Sequence, residues 1–260
     1  MIIQFYKYQG TGNDFVVLDN RNGAYESLSS NMIFQLCHRR KGIGADGLMM
    51  LNHSNEVDFE MKYYNADGNP GSMCGNGGRC IVQFAHDIGI KQYTYQFLAV
   101  DGMHLAEIEQ DGLVKLKMND VHTVAYHQGY AVLDTGSPHF VKWVHDLDHV
   151  DVYQSGKEIR YSKTFAEKGI NVNFVENLED NLIFVRTYER GVEDETMSCG
   201  TGVTACALLS AHHQLGFNKV DIKTTGGMLS VEYNRLNDQH FEQIWLSGPA
   251  VQVFKGEIEI

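Results

Sequence analysis

Three landmarks recur in this chain at one spacing. Phe15 of Asp14-Phe15-Val16 and Phe140 of His139-Phe140-Val141 stand 125 positions apart, and so do Cys74 and Cys199, and Gly102-Met103 and Gly227-Met228. A single offset held through loops of different composition argues for two copies of one structural plan rather than for chance dipeptides. No local signal constrains the fold as strongly, because whatever one half forms the other must also form. The 260 residues suit two domains of ordinary size. We therefore expect a boundary near Asn119-Asp120. Residues 1–119 would form an N-terminal lobe completed by the strand at 250–260, residues 120–249 a C-terminal lobe, with a ligand cleft between two similar α+β halves.

Local patterns give each copy its content. Ile2 to Tyr8 and Phe15 to Leu18 read as strands joined by Gly10-Thr11-Gly12-Asn13-Asp14. Ser29-Ser30-Asn31 offers caps for a helix whose Ile33, Leu36 and Cys37 share a face and which ends near His38-Arg39-Arg40-Lys41. Leu48 to Leu51 and Val57 to Tyr64 read as further strands. After the first cysteine, Ile81, Phe84, Ala85 and Ile88 repeat at helical spacing with Gly89 as the stop. His104–Glu109 and Leu113–Met118 flank Asp111-Gly112, a hairpin signal. In the second copy Val203 to Leu209 is apolar nearly all round, as expected of a helix wrapped by sheet. Each copy thus reads as mostly strands with one principal helix led by its cysteine.

Cys74-Gly75-Asn76-Gly77 and Cys199-Gly200-Thr201-Gly202 put a thiol at or just before a helix start, where unfilled N–H donors and the positive end of the helix dipole favour the thiolate. The same donors can hold a carboxylate. Two such ends facing one another would grip an anionic group between two ionisable sulfurs, which is equipment for moving a proton across a stereocentre. Cys37, Cys80 and Cys206 read instead as core or helix-packing residues. A metal centre has little support. Cys74-x5-Cys80 and Cys199-x6-Cys206 lack Cys-x2-Cys spacing, and His145 and His149 sit in an acidic segment without a partner pair.

The formal charge of −12, unrelieved by any Lys/Arg cluster, argues against nucleic acid and anionic membrane as partners and leaves a small molecule. The start of the chain lacks the charged and apolar regions of a signal peptide, and no apolar run reaches membrane-spanning length, so a cytoplasmic location is expected. Five cysteines without an export signal should be thiols. Around the two cysteine loops lie groups suited to an amino acid: Asn13, Asn65, Asn76, Asn171 and the pair Glu189-Arg190. Arg presents a planar fork to a carboxylate, Glu accepts from an ammonium, and Asn does either. His139 could tune the proton affinity of a thiol.

Seven stretches, Gly10-Thr11-Gly12-Asn13-Asp14-Phe15, Tyr64-Asn65-Ala66-Asp67-Gly68, Cys74 to Cys80, Gly136-Ser137-Pro138-His139, Asn171-Val172-Asn173-Phe174, Tyr188-Glu189-Arg190-Gly191 and Cys199-Gly200-Thr201-Gly202, resemble the diaminopimelate epimerase family, in order and along the whole chain. The resemblance implies an α+β fold of two pseudo-symmetric lobes, each a mixed barrel-like sheet around a central helix. It also implies an epimerase that needs no cofactor and no metal and interconverts LL- and meso-2,6-diaminopimelate for lysine and cell-wall synthesis. Cys74 and Cys199 then match the acid and base. Asn13, Asn65, Gly75, Asn76, Asn171, Glu189, Arg190, Gly200 and Thr201 match substrate-contacting positions, and His139 and Glu189 match positions that tune the thiols. Ser137 stands where many members carry Asn, and Gly47 where some carry Gln. The reading admits a homodimer.

An amino-acid α-hydrogen is a poor acid, so charge developing on the carboxylate must be met by pre-oriented N–H donors in a dry site. One thiolate would remove the proton while the other sulfur, as thiol, donates from the opposite face. Arg190 is expected to be buried, where a guanidinium without an anion would cost several kcal/mol, so a second carboxylate on the substrate is expected. A related racemase acting on proline or hydroxyproline would keep the cysteines and change the distal pocket. A dithiol redox protein, against which the absence of Cys-x2-Cys counts, would turn over reductant, whereas the epimerase would only lose activity on oxidation, and a non-catalytic amino-acid-binding module would show no α-proton exchange.

Overall fold

The computed structural model describes residues 1–210 and 214–260. By contacts the chain divides into two units, Met1–Leu116 with Gly248–Ile260, and Lys117–Ser247. The first begins with the hairpin β1 (Ile2–Gly10) and β2 (Asn13–Asp19), turned at Thr11-Gly12, where both residues have positive φ. Helix α1 (Ser30–Cys37) follows, capped by the Ser29 hydroxyl accepting from the Met32 N–H, and it buries Ile33, Leu36 and Cys37 as the apolar spacing requires. Strand β3 (Gly47–Asn52) pairs parallel to β2, and β4 (Phe59–Asn65) returns antiparallel to β3. All six residues of β3 are buried because α1 covers the strand together with the next helix, α2 (Gly75–Asp87). Strand β5 (Thr94–Ala99) joins β4 in parallel, and β6 (Gly102–Ile108) and β7 (Val114–Lys117) complete the meander. The C-terminal strand Val251–Glu259 pairs antiparallel to β1.

The sheet of this unit curls around α2, which packs on β1, β2, β3 and β6 and on the C-terminal strand. Phe84 of α2 is fully buried between the rings of Tyr6 and Tyr8, at centroid distances of 4.9 and 5.7 Å. Burial of such a side chain contributes about 1.5–3 kcal/mol. Helix α2 ends where the sequence places its stop, with Ile88 as the cap and Gly89 at φ 104°.

The second unit repeats this order. Strands β8 (Val124–His127), β9 (Tyr130–Asp134) and β10 (Pro138–Trp143) form a meander. Helix α3 (Val152–Arg160) follows, and β11 (Asn171–Glu179) pairs parallel to β10 with β12 (Leu182–Glu189) antiparallel to it. A short strand β13 (Asp194–Thr196) leads to helix α4 (Gly200–Ser210). Strand β14 (Gly216–Thr224) joins β12 in parallel, and β15 (Gly227–Arg235) and β16 (Phe241–Gly248) complete the pattern; Val251–Glu259 is β17. Parallel and antiparallel pairings recur in the same order in both units, as the 125-residue offset predicts. Helix α4 is buried on all sides and packs on β10, β11, β12, β14 and β15.

Each unit holds a second helix beside its principal one: α1, which the sequence predicts, and α3, which it does not. Helix α3 escapes the sequence reading because its residues are mostly polar and Gly156 sits at its middle, where glycine ordinarily weakens a helix. In the fold Gly156 is required, since a Cβ there would lie 2.3 Å from Cβ of Tyr188. The cap is Asp151, whose carboxylate accepts from the Gln154 N–H at 2.9 Å. Among the described residues no helix is long and apolar enough to cross a membrane.

Candidate active site

In the first unit Cys74 is the N-cap of α2, with extended backbone (φ −118°, ψ 151°) and its sulfur accepting from the Gly77 N–H at 3.2 Å. The Gly-x-Gly signal has a steric reason here. A Cβ at Gly77 would lie 3.3 Å from both the Cys74 sulfur and the Met49 sulfur. Asn13, which opens β2, brings its carboxamide oxygen to 3.8 Å from Sγ of Cys74. The Asn13 amide nitrogen donates to Asp46 at 2.6 Å, which fixes the oxygen toward the cysteine. Asp46 belongs to a balanced charge cluster in which Arg39 bridges Asp14 and Asp46 and the buried Lys7 pairs with Asp14 at 2.7 Å. Those two cations hold the Asp14 carboxyl down at about 2 against the opposing effect of burial.

Asn76 and Gly75 lie buried in the first turn of α2. The Asn76 side-chain oxygen accepts from Arg79 at 2.9 Å and from the Thr11 hydroxyl at 3.3 Å, so this end of its amide is engaged within the unit. Asn65, at the exposed end of β4, lies opposite Gly47 in the β3–β4 register. The departure at Gly47 has a structural counterpart. A Cβ there would meet the Tyr63 ring at 2.5 Å, so glycine makes room for that ring, which packs edge-on against Phe15.

The second unit builds its cysteine differently. Cys199 is buried just before α4 and lies 3.5 Å from the Thr201 hydroxyl, which is 2.9 Å from Nε2 of His139. The amide nitrogen of Asn173 lies 3.1 Å from Nδ1 of that ring and also donates to the Phe140 carbonyl, while its oxygen accepts from Thr187. With Asn173 oriented by those two bonds, Nδ1 of His139 must accept and Nε2 must carry the proton, donating to Thr201. The Thr201 hydroxyl is then left to donate toward the sulfur. Complete burial, reinforced by the positive charge of Arg190 and opposed by the Asn173 bond, lowers His139 to about 3, so the ring is neutral at physiological pH.

Asn171 and Arg190 are joined through Ser137, the other departure. The Asn171 amide donates to the Ser137 hydroxyl at 2.9 Å and to the Pro138 carbonyl, and its oxygen accepts from the Arg190 backbone N–H. The Arg190 guanidinium donates to Ser137 at 3.2 Å and to the Lys168 carbonyl. Arg190 is exposed, which corrects the sequence-based expectation of a buried guanidinium in need of an anion. Its backbone and fork are instead held in place by neutral groups. Glu189 accepts from the Thr196 hydroxyl at 2.9 Å. Gly200 and Thr201 form the first turn of α4, where the Gly200 carbonyl takes the Thr204 hydroxyl and the Thr201 carbonyl takes that of Thr135.

Cys37, Cys80 and Cys206 are buried, as expected of core thiols, and burial pushes the first two up to about 12. His145 and His149 are exposed. Among the described residues no group of three His, Cys, Asp or Glu could hold a metal ion. Sequence reasoning missed Asp46, which orients Asn13, and Asn173, which fixes the His139 tautomer. Asn173 did carry a signal, since it is two residues from Asn171 and shares its face of β11.

The family model described as diaminopimelate epimerase matches residues 5–124 and 131–253. Curated relatives of that name include one from Flavobacterium psychrophilum, 46% identical over 257 residues and spanning 98% of this chain and 100% of the relative. Another, from Chlorobaculum tepidum, is 42% identical over 262 residues, spanning 96% and 99%. Among solved structures the fold is shared with a Bacillus anthracis phenazine biosynthesis protein of the PhzF family (TM-score 0.74, 14% identity, all of both chains). It is shared also with a hydroxyproline epimerase from Agrobacterium vitis (TM-score 0.66, 14% identity, 99% of this chain and 91% of that one).

Proposed function

The chain belongs to the diaminopimelate epimerase family, isomerases of lysine biosynthesis, and on that premise we propose that Cys74 and Cys199 are the two proton carriers that invert one α-carbon of 2,6-diaminopimelate. In this reading the residues themselves do the chemistry and no cofactor is invoked. Inversion requires one base on each face of the carbon, and the observation that carries the proposal is that both units present a cysteine at the start of their central helix. N–H groups of the two first turns, at Gly75, Asn76, Gly200 and Thr201, would meet the charge that grows on the substrate carboxylate. Asn13 beside Cys74, and His139 acting through Thr201 beside Cys199, would adjust the sulfurs.

Arg190, its fork already oriented by Ser137 and the Lys168 carbonyl and its backbone N–H held by Asn171, suits the distal carboxylate of the substrate, and we assign Asn65 to the substrate as well and Glu189 to an ammonium. A substrate lacking that second carboxylate would forfeit this recognition. We assign residues 1–119 with 250–260 and residues 120–249 as the two lobes that deliver one thiol each, and place the product in the supply of lysine and of peptidoglycan precursors. LL-diaminopimelate incubated with the purified protein in deuterated water should exchange its α-proton and give the meso isomer, followed by NMR. Faster turnover of proline or hydroxyproline would move the assignment to the related racemases, and no exchange with any amino acid would leave a binding module.

A further inference from the structure

Arg79 is wholly buried in α2 and forms no ion pair with a carboxylate among the described residues. One nitrogen of its fork donates to the Gly75 carbonyl at 3.2 Å, and the other to Asn76 at 2.9 Å and to Thr11 at 3.3 Å. Its Nε is buried with no hydrogen-bond partner at all. The guanidinium is tightly enclosed, since a Cβ added to Gly10 of β1 would lie 3.4 Å from it. Burial lowers Arg79 only to about 10, so it stays charged at neutral pH. A buried cation without a counter-charge is expensive, and such a charge favours any anion that forms nearby.

Two thiols sense that charge, Cys74 and Cys80. Cys80 is wholly buried and pushed up to about 12, so it remains a thiol. Cys74 is only partly buried, caps the helix and already accepts the Gly77 N–H. We propose that Arg79 is a positioning residue for charge: from beneath the first turn of α2 it holds Cys74 as the thiolate in the free protein, and so decides that Cys74 is the sulfur that begins as the base while Cys199 begins as the thiol. The proton lost by Cys74 passes to solvent. The inference rests on the two-cysteine reading above.

The remaining charged and titratable groups on the elements around α2 do not alter the assignment. Lys7, Asp14, Arg39 and Asp46 are two cations and two anions in one cluster and cancel. Tyr8 of β1 donates to Asp87 at the far end of the helix. His104 of β6 pairs with Asp101, and Glu107 of β6, like Lys255, Glu257 and Glu259 of β17, is in contact with solvent. The Asn13 oxygen favours the protonated sulfur, but a neutral contact at 3.8 Å is weak beside an unshielded full charge. In the second unit the position matching Arg79 is Thr204, a neutral residue that satisfies the Gly200 carbonyl with its hydroxyl at 2.8 Å. The cation on that side, Arg190, is exposed, so water screens its charge more than that of the wholly buried Arg79.

The test is the rate of iodoacetamide alkylation of each cysteine as a function of pH, read peptide by peptide by mass spectrometry on the unliganded full chain. Cys74 should show a midpoint at least about one pH unit below that of Cys199, the size expected from one nearby opposite charge. Arg79→Met should raise the Cys74 midpoint by about one unit or more and leave Cys199 where it was. Arg79→Lys, which keeps the charge and loses the fork, should keep the Cys74 midpoint low. A wild-type midpoint for Cys199 at or below that of Cys74 overturns the inference even if Arg79→Met does not fold. So does an equal rise in the Lys and Met variants, which would assign the effect to lost hydrogen bonds. No substrate is present in this experiment, so its failure is separate from failure of α-proton exchange with diaminopimelate.

Discussion

Helices α2 and α4 begin with the same three-part device, a cysteine followed by glycine at the first and third helical positions, yet their surroundings differ in kind. Around Cys74 the neighbours are charged: a buried arginine beneath the turn, and a carboxylate that orients Asn13. Around Cys199 they are neutral and chained: Asn173 to His139 to Thr201 to sulfur. A duplicated plan thus gives equal backbones and unequal electrostatics. On the two-cysteine scheme proposed above, symmetry suits a reaction that runs in both directions, while the resting protein would still need one base and one acid rather than two of either.

The strongest way to break the comparison is to remove each sulfur. Cys74→Ala and Cys199→Ala should each lower epimerisation of LL-diaminopimelate by at least about 1,000-fold while melting near the wild type, since each deletes the proton carrier of one face. Near-normal turnover by either would end the two-base scheme. Next in size is Thr201→Val, which cuts the link from His139 to Cys199. Turnover should fall by about 10- to 100-fold, and the alkylation profile of Cys199 should move while that of Cys74 does not. Coupled movement of both profiles would show that the two settings are not independent.

A stability difference should also separate the units. His139 is lowered to about 3 in the fold from an ordinary 6.5, so below 6.5 the unfolded chain binds a proton that the folded chain refuses. The stabilisation is complete above that value and fades as pH falls from 6.5 toward 3. His139→Gln should therefore lose less melting temperature over that window than the wild type, and equal slopes would contradict a neutral buried ring. The smallest effect concerns the glycines. Gly202→Ala puts a Cβ 2.5 Å from the Asn173 oxygen, whereas Gly77→Ala meets two sulfur atoms at 3.3 Å. Chemical denaturation should show the first costing about 1–3 kcal/mol and the second less.

Much of this was legible in the residues. The repeat, the hairpin at Asp111-Gly112 and the amphipathic faces of α1 and α2 follow from local periodicity, and the thiols at helix starts follow from Cys-Gly-x-Gly. His139 was legible as a tuning group, but Asp46, Asn173 and Arg79, which act through other groups, were not. Arg79 reads in sequence as one more basic residue on a helix, because whether a guanidinium is buried depends on Gly10 and Thr11, nearly seventy positions away. Arg190 was expected to be buried for the converse reason, since its exposure depends on long-range packing. Helix α3 failed to announce itself because the glycine that weakens it locally is the one its packing on Tyr188 demands.

The pairing of β1 with β17 sets an order of events during synthesis. The second unit is one uninterrupted stretch, Lys117–Ser247, so all of it has been made before Gly248–Ile260 appears. The first unit, although translated first, waits with one edge of β1 unpaired until the C-terminal strand arrives. An open edge of that kind invites association with other chains, so the half made later is the one that can finish folding earlier. The Met1 nitrogen donates to the carbonyl of Ile260, so residues 1 and 260 already meet. A short linker joining them, with new ends opened in an exposed loop of the first unit, would abolish the wait.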